Sequence, residues 1–314
     1  MRTTALLALL LSFQIIQVQA QDSIVHIQVK GGRLEGSLRF IKKQTAVPVV
    51  LIIAGSGPTD RNGNQMELEN NSLKLIADTL QNNDIASLRY DKRGIGESKE
   101  AATSERQLRF EDYIEDVKSW IKFLSKDKHF SKIIVAGHSE GSLLGLIASE
   151  NNKHVNAFIS IAGAGRPADE ILKEQFEKVP QDVKNILFPL IDRLKKGDSI
   201  ANVPPMLYML FRPSIQPYMT SWFKYDPAKE IQKLKVPILI LQGKKDIQVK
   251  INDAELLSKA YPQAQLRLIE NMNHVLKYCE FDNKEKQMDI YSNPSLPLHP
   301  ELVSTILSFI RTIK

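Results

Sequence analysis

The fold is indicated most clearly by residues 132–150, which read KIIVAGHSEGSLLGLIASE. The apolar, β-branched run at 131–136 is typical of a strand buried on both faces. A helical pattern follows over 143–148, and the residues between the two, 137–141, fit G-x-S-x-G. This order predicts a tight turn that strains the backbone of Ser139 and lifts its hydroxyl clear of a sheet.

Strands and helices alternate along much of the rest of the chain. Residues 23–30 and 33–41 predict an antiparallel hairpin, and the apolar run VPVVLIIA at 47–54 predicts another buried strand. Alternating β and α segments predict an α/β fold with a mostly parallel central sheet and helices on both faces. The other predicted strands are 85–90, 155–162, 236–242 and 265–269, and the other predicted helices are 72–80, 108–124 and 302–313.

One long segment interrupts this alternation. Residues 166–235 contain no buried strand and are rich in Met, Phe, Tyr, Trp and Pro towards their end. About 70 residues are too many for a plain loop. We therefore predict a helical cap inserted between two strands of the sheet. The alternative is a set of ordinary helices that pack on the core.

Composition and charge exclude several classes of protein. Among 314 residues, 43% are hydrophobic and 25% are charged, which excludes a largely disordered chain. The single cysteine, Cys279, excludes an intramolecular disulfide and a cysteine-based zinc cluster. The formal charge of +6 comes from basic residues interleaved with acidic ones. We therefore expect no nucleic-acid partner.

The first 20 residues have the three parts of a signal peptide. A short positive start is followed by an apolar run over 5–16 and by small or branched residues up to Ala20. We predict cleavage after Ala20, a mature domain over 21–314, and a secreted or periplasmic protein. The alternatives are an amphipathic N-terminal helix and a membrane anchor. Because the run is too short to cross a bilayer of about 30 Å, we expect no stable membrane insertion.

A serine hydroxyl becomes a useful nucleophile only when a neighbouring base takes its proton. In such sites the base is a histidine that is held in place by a carboxylate. Functional groups of an open parallel sheet gather at the carboxyl ends of its strands. Asp246 and His274 directly follow the last two predicted strands, so we predict the triad Ser139, Asp246 and His274. The alternatives are His299 as the base and Asp226 or Asp253 as the acid.

The motifs resemble the α/β-hydrolase superfamily. This superfamily carries its triad in segments that resemble GHSEG (137–141), GKKD (243–246) and NMNH (271–274) of this chain. IIAGSGPTDRNGN (52–64) resembles its oxyanion loop, and RYDKRGIGES (89–98) resembles its D-x-R-G-x-G-x-S stretch. The resemblance covers roughly 24–314. GSGP-x-DR-x-GN together with GHSEG looks like bacterial secreted serine esterases, close to serine aminopeptidase-like members.

The resemblance implies an oxyanion hole beside the serine. Its two backbone N–H donors are expected from Glu140, directly after the nucleophile, and from Ser56, with Gly57 as the alternative. Asp60 and Arg61 follow in the same loop. We hypothesise that one of them supports the loop through charged hydrogen bonds, with Glu140 as a candidate partner. The alternative is a solvated polar turn.

The function implied is hydrolysis of small to medium acyl esters through an acyl-enzyme on Ser139, with no metal or organic cofactor. A cap rich in Met and aromatic residues suits an apolar acyl or aryl group. A peptidase or amidase would use the same triad, and Glu140 is the obvious carboxylate for a substrate amine. A third alternative, from another class, is a binding protein on an inactive hydrolase scaffold.

Overall fold

The structure is a computed structural model that describes residues 22–40, 43–66, 68–102 and 104–314. The predicted signal peptide, residues 1–20, lies outside this part of the chain. Within the described residues, eight strands form a single sheet and helices surround it. The strands are β1 (Ser23–Val29), β2 (Gly32–Arg39), β3 (Val47–Ile53), β4 (Ala86–Tyr90), β5 (Phe130–His138), β6 (Val155–Ile161), β7 (Ile238–Gly243) and β8 (Gln265–Ile269).

The sheet is mostly parallel, as predicted. Its strand order is β1-β2-β4-β3-β5-β6-β7-β8. The pairs β1–β2 and β2–β4 are antiparallel, which confirms the predicted hairpin, and the neighbours from β4 to β8 all pair in parallel. The parallel strands therefore end at one edge, where the chain leaves β3, β4, β5, β7 and β8 for the loops that carry the candidate site.

Most of the predicted helices form close to their expected bounds. Two further helices, α9 (Ile251–Ala260) and α10 (Lys284–Tyr291), were not predicted. Helix α10 buries only Gln287 and Tyr291, so it lacks the apolar stripe by which a helix is recognised in a sequence. No helix in the described part of the chain is both long and apolar enough to span a bilayer. The α-helices are α1 (Ser72–Gln81), α2 (Phe110–Leu124), α3 (Glu140–Ser149), α4 (Ala168–Gln175), α5 (Gln181–Lys195), α6 (Pro205–Phe211), α7 (Gln216–Trp222), α8 (Pro227–Ile231), α9 (Ile251–Ala260), α10 (Lys284–Tyr291) and α11 (Pro300–Thr312).

Helices cover both faces of the sheet, because alternate side chains of each central strand point in opposite directions. In β3, Leu51 and Ile53 join an apolar core with residues of α2 and α3. Their neighbours Val50 and Ile52 join a second core with residues of α1 and α11. This two-sided burial explains the uninterrupted apolar run of the β3 sequence.

The segment between β6 and β7 forms the five helices α4 to α8. Proline stands in the first turn of α6, α7 and α8, where its missing N–H would have no helical partner. Helix α7 is fastened to the start of α2: the Phe110 and Trp222 rings stack at 5.9 Å, and the Phe110 N–H donates to Ser221 Oγ at 2.8 Å. This segment thus packs against the helix that covers the centre of the sheet.

Candidate active site

Ser139 alone separates β5 from α3. Its φ of 54° and ψ of −121° lie where a non-glycine residue is strained. The Ser139 N–H donates to the Ile161 carbonyl at 2.9 Å, and the Ser139 carbonyl accepts from the Ser142 N–H at 2.9 Å. The turn therefore holds the backbone of Ser139 on both sides at the carboxyl edge of the sheet, as the sequence predicts.

The two glycines of G-x-S-x-G are sites of close backbone approach. A Cβ on Gly137 would lie 2.1 Å from the Gly141 carbonyl oxygen. A Cβ on Gly141 would lie 2.5 Å from the carbonyl oxygen of Ile53 on the neighbouring strand. Neither position can hold a side chain without moving the backbone, so the glycines make the sharp turn at Ser139 feasible.

Asp246 and His274 form a buried pair. Asp246 follows β7, His274 follows β8, and His274 Nδ1 lies 2.8 Å from Asp246 Oδ2. The other oxygen of Asp246 accepts from the backbone N–H groups of Gln248 at 2.7 Å and Val249 at 2.9 Å. Burial acts to raise the pKa of Asp246, but the His274 ring and these N–H donors outweigh it and hold the pKa below its usual value. An ionised Asp246 keeps the Nδ1 proton towards itself and leaves His274 Nε2 available as a base.

His138 ties this pair to the nucleophile turn. It directly precedes Ser139, and its Nε2 donates to the His274 carbonyl at 2.9 Å. The two imidazole rings lie 4.7 Å apart. Burial, followed by the charge of His274, lowers the pKa of His138 to about 3, so this ring is neutral at neutral pH. A neutral donor can therefore hold the His274 backbone beside Ser139, a role that the sequence pattern does not indicate.

The alternative acids and base have structural partners elsewhere. His299 precedes α11, accepts from the Glu301 N–H and stacks on Tyr278. Asp226 caps α8 by accepting from the Ala228 N–H at 3.2 Å. Asp253 accepts from the Gly165 N–H and from Arg166. In the described residues, no group of three or more His, Cys, Asp or Glu side chains is placed to hold a metal ion.

The glycine-rich loop after β3 passes directly against the nucleophile. A Cβ on Gly55 would lie 3.2 Å from the Cβ of Ser139. The next carbonyl, that of Ser56, accepts from Thr59 Oγ1 at 2.7 Å and from Gln65 Nε2 at 3.0 Å. Gly57 follows with a φ of +71°. The two predicted donor residues thus flank Ser139: Ser56 in this loop, and Glu140 in the first turn of α3, where backbone N–H groups have no helical acceptor.

Asp60 and Arg61 have different partners. Asp60 Oδ1 accepts from two backbone N–H groups of its own loop, those of Asn62 at 2.8 Å and Asn64 at 2.9 Å. Arg61 is buried, and its Nη2 lies 2.6 Å from Asp91 and 2.7 Å from Glu35. The Arg61 N–H also donates to Asp91 at 2.8 Å. Arg61 therefore fastens the loop to the end of β4.

The carboxylate of Glu140 faces Lys92, not Asp60 or Arg61. Lys92 Nζ lies 3.4 Å from Glu140 Oε1, and both side chains are 1% exposed. The same Nζ donates to the Gly55 carbonyl at 2.5 Å. The sequence pattern alone does not single out Lys92 as part of the site, although its position just after β4 places it at the same edge of the sheet.

Comparisons with known proteins agree with this architecture. The family model for serine aminopeptidases of family S33 matches residues 69–206, which include the Ser139 turn and end before Asp246 and His274. Esterase EstD of Thermotoga maritima is 27% identical over 251 residues, a match that covers 77% of this chain. The match spans 58% of the length of EstD.

Solved structures resemble the whole described fold. Est1E of Butyrivibrio proteoclasticus with bound ferulic acid has a TM-score of 0.61 and 18% identity, covering 92% of this chain and all of Est1E. The Pyrococcus furiosus esterase Pf2001 has a TM-score of 0.59 and 16% identity, covering 94% of this chain and 91% of Pf2001. The chain therefore has the α/β-hydrolase fold.

The buried His138 should make the protein less stable in acid. Its pKa is about 3 in the fold and 6.5 when unperturbed, so between these values the unfolded chain binds a proton that the folded chain does not. The contribution of His138 to the free energy of unfolding is fully present above pH 6.5 and is lost as the pH falls towards 3. Between pH 7 and 5, wild type should lose about 2 kcal/mol more free energy of unfolding than His138→Gln, in urea titrations at both pH values.

Replacement of the exposed His154 by Gln is the matched control, since it also removes one imidazole. The His154 variant should follow the wild type at both pH values. If His138→Gln loses as much stability as wild type between pH 7 and 5, the account of His138 as a buried neutral ring is wrong.

Proposed function

We propose that this protein is a serine hydrolase of carboxylic esters. The observation that carries the proposal is the 2.8 Å pair of Asp246 and His274, held beside the strained turn of Ser139 by the His138 bond to the His274 carbonyl. A nucleophile, a base and an orienting acid at one sheet edge are what acyl transfer requires. The named esterases among the similar proteins lend support.

The reaction follows from the roles of these groups. Ser139 Oγ attacks the ester carbonyl while His274 Nε2 takes its proton and Asp246 stabilises the imidazolium. The N–H groups of Ser56 and Glu140 receive the charge that develops on the carbonyl oxygen. His274 then protonates the departing alcohol, and water cleaves the acyl group from Ser139 by the same steps in reverse.

We assign residues 166–235 as a cap over this site. Tyr218, on α7, is buried, and its pKa is raised well above the usual value by that burial and by the Glu140 carboxylate. The Tyr218 ring lies 5.5 Å from the Tyr113 ring, whose centre lies 5.2 Å from Lys92 Nζ, so α7 lies close to the Lys92–Glu140 pair. A cap that brings apolar and aromatic side chains towards Ser139 suits an acyl or aryl group of small to medium size.

A peptidase is the second candidate, favoured by the serine aminopeptidase model that matches the chain. An aminopeptidase needs a carboxylate that receives the substrate amine. Glu140, the obvious one from the sequence, is 1% exposed and faces Lys92 at 3.4 Å. A carboxylate already paired in the interior is poorly placed to bind an incoming ammonium, which favours the ester substrate.

The triad makes a direct prediction for ester turnover. Ser139→Ala and His274→Gln should each lower kcat for p-nitrophenyl butyrate by at least about 10³-fold, because the residues of a triad act as a unit. His299→Gln is the matched control and should change kcat less than about threefold. Wild type without turnover, or Ser139→Ala with undiminished turnover, would contradict the proposal.

The substrate class makes a second prediction. Wild type should hydrolyse p-nitrophenyl acetate and butyrate with a kcat/KM at least about 10²-fold above that for aminoacyl p-nitroanilides. Both classes of substrate release a coloured leaving group, so their hydrolysis can be compared in one absorbance assay. The opposite order would make the protein a peptidase. Equal labelling of wild type and Ser139→Ala by a fluorophosphonate would favour the binding-protein alternative.

Export is also part of the proposal, with removal of residues 1–20 after Ala20. The full chain expressed in a Gram-negative bacterial host should be recovered outside the cytoplasm with Gln21 as its first residue, as mass spectrometry of the intact protein can determine. A version that begins at Gln21 after an added methionine is the control and should stay in the cytoplasm. Recovery of the full chain with Met1 retained would contradict a cleaved signal peptide.

A further inference from the structure

Lys92 is a buried ammonium, and two of its partners, Gly55 and Glu140, lie next to Ser139. Its side chain is 1% exposed and follows the end of β4 by two residues. Its Nζ lies 2.5 Å from the Gly55 carbonyl oxygen, 3.4 Å from Glu140 Oε1 and 5.2 Å from the centre of the Tyr113 ring. Burying a charge costs free energy unless such partners offset it. This lysine is thus held by its partners and stands next to the nucleophile loop.

The bond to Gly55 fixes the orientation of one peptide group. The Gly55 carbonyl and the Ser56 N–H belong to the same planar trans peptide, so they point in opposite directions. An ammonium on the carbonyl side therefore directs the Ser56 N–H to the other side. The positive charge also polarises the peptide and makes its N–H a stronger donor.

The ion pair with Glu140 reaches the residue that supplies the second donor. Glu140 directly follows Ser139, and its backbone N–H stands in the first turn of α3. One ammonium thus contacts the residue before the first expected donor and the side chain of the second. The two donors come from different loops, after β3 and β5, and Lys92 reaches both from a third loop, after β4.

We infer that Lys92 is a positioning residue of the oxyanion hole, which orients the Ser56 N–H through the Gly55 carbonyl and holds Glu140 through its carboxylate. This inference rests on the proposed ester hydrolysis. It makes Lys92 a positioning residue and not a catalytic one, because the ammonium acts on the oxyanion donors through Gly55 and Glu140. A purely structural ion pair is the competing account, and the two differ in what they do to kcat.

Lys92→Met tests the inference, because it removes the ammonium and keeps an apolar stem. We expect kcat for p-nitrophenyl butyrate to fall by about 10²-fold while KM changes less than about threefold, since oxyanion donors act in the transition state. The dissociation constant of phenylboronic acid should rise by a similar factor. Its tetrahedral adduct with Ser139 places an oxygen where the oxyanion forms, so this readout does not depend on turnover.

A double variant separates positioning from folding. Lys92→Met alone leaves the Glu140 carboxylate buried without its counter-ion, whereas Lys92→Met with Glu140→Gln removes both charges. We expect the double variant to fold and to keep the low kcat and the weak boronic acid binding. Lys132→Met is the matched control: Lys132 Nζ also donates to a backbone carbonyl, that of Ile313 at 2.5 Å, but at the amino end of β5. Its kcat should stay within about threefold of wild type.

The inference is overturned if the double variant regains the wild-type kcat, or if the Lys92 variants raise KM and leave kcat unchanged. It is also overturned if neither Lys92 variant folds, since Lys92 is then a structural ion-pair residue. Failure of the proposed ester hydrolysis is distinguishable, because it appears in the wild type and in Ser139→Ala. If the wild type is fully active and substitution of Lys92 has no effect on kcat, only the positioning role of Lys92 is contradicted.

Discussion

The site depends on the close approach of backbone to backbone at the turn between β5 and α3. A Cβ on Gly137 would meet the Gly141 carbonyl at 2.1 Å, and one on Gly141 would meet the Ile53 carbonyl at 2.5 Å. These contacts join the nucleophile turn to the end of β3, which leads into the glycine-rich loop. Ser139 and that loop are therefore closely packed, and the strained backbone of the serine is held by contacts from both neighbouring strands.

Three successive charged residues after β4 add to these contacts: two of them hold different parts of the glycine-rich loop, and the third holds α2. Asp91 holds the far part of the glycine-rich loop through Arg61, and Lys92 holds the near part through the Gly55 carbonyl. Arg93 pairs with Asp116 on α2, with Nε 2.8 Å from the carboxylate. All three side chains are buried, so these contacts act in a low dielectric, where paired charges attract strongly and unpaired ones are costly. The turn after β4 thus organises the surroundings of the candidate nucleophile.

The sequence indicated those features that depend on local pattern and on general rules of parallel sheets. Apolar runs marked the buried strands, and the rule that functional groups gather at strand ends selected Asp246 and His274, which the structure places 2.8 Å apart. Features set by tertiary partners were missed. A lysine looks like a surface residue until its partners are known, and the bond from His138 to the His274 carbonyl joins residues 136 positions apart. Helix α10 was missed because its face towards the core carries almost no apolar residues.

The pairing of Glu140 with Lys92 also bears on the charge balance of the reaction. A carboxylate in the first turn of α3 is favoured by the helix dipole, but a bare negative charge there would oppose the negative oxygen that forms beside Ser139. Lys92 offsets that charge, and Glu140 in turn makes burial of the ammonium feasible. Together they form a nearly neutral unit that supplies a strong hydrogen-bond donor to Gly55. Either charge alone would disturb the field at the nucleophile, so the chemistry that we propose requires the two residues as a pair.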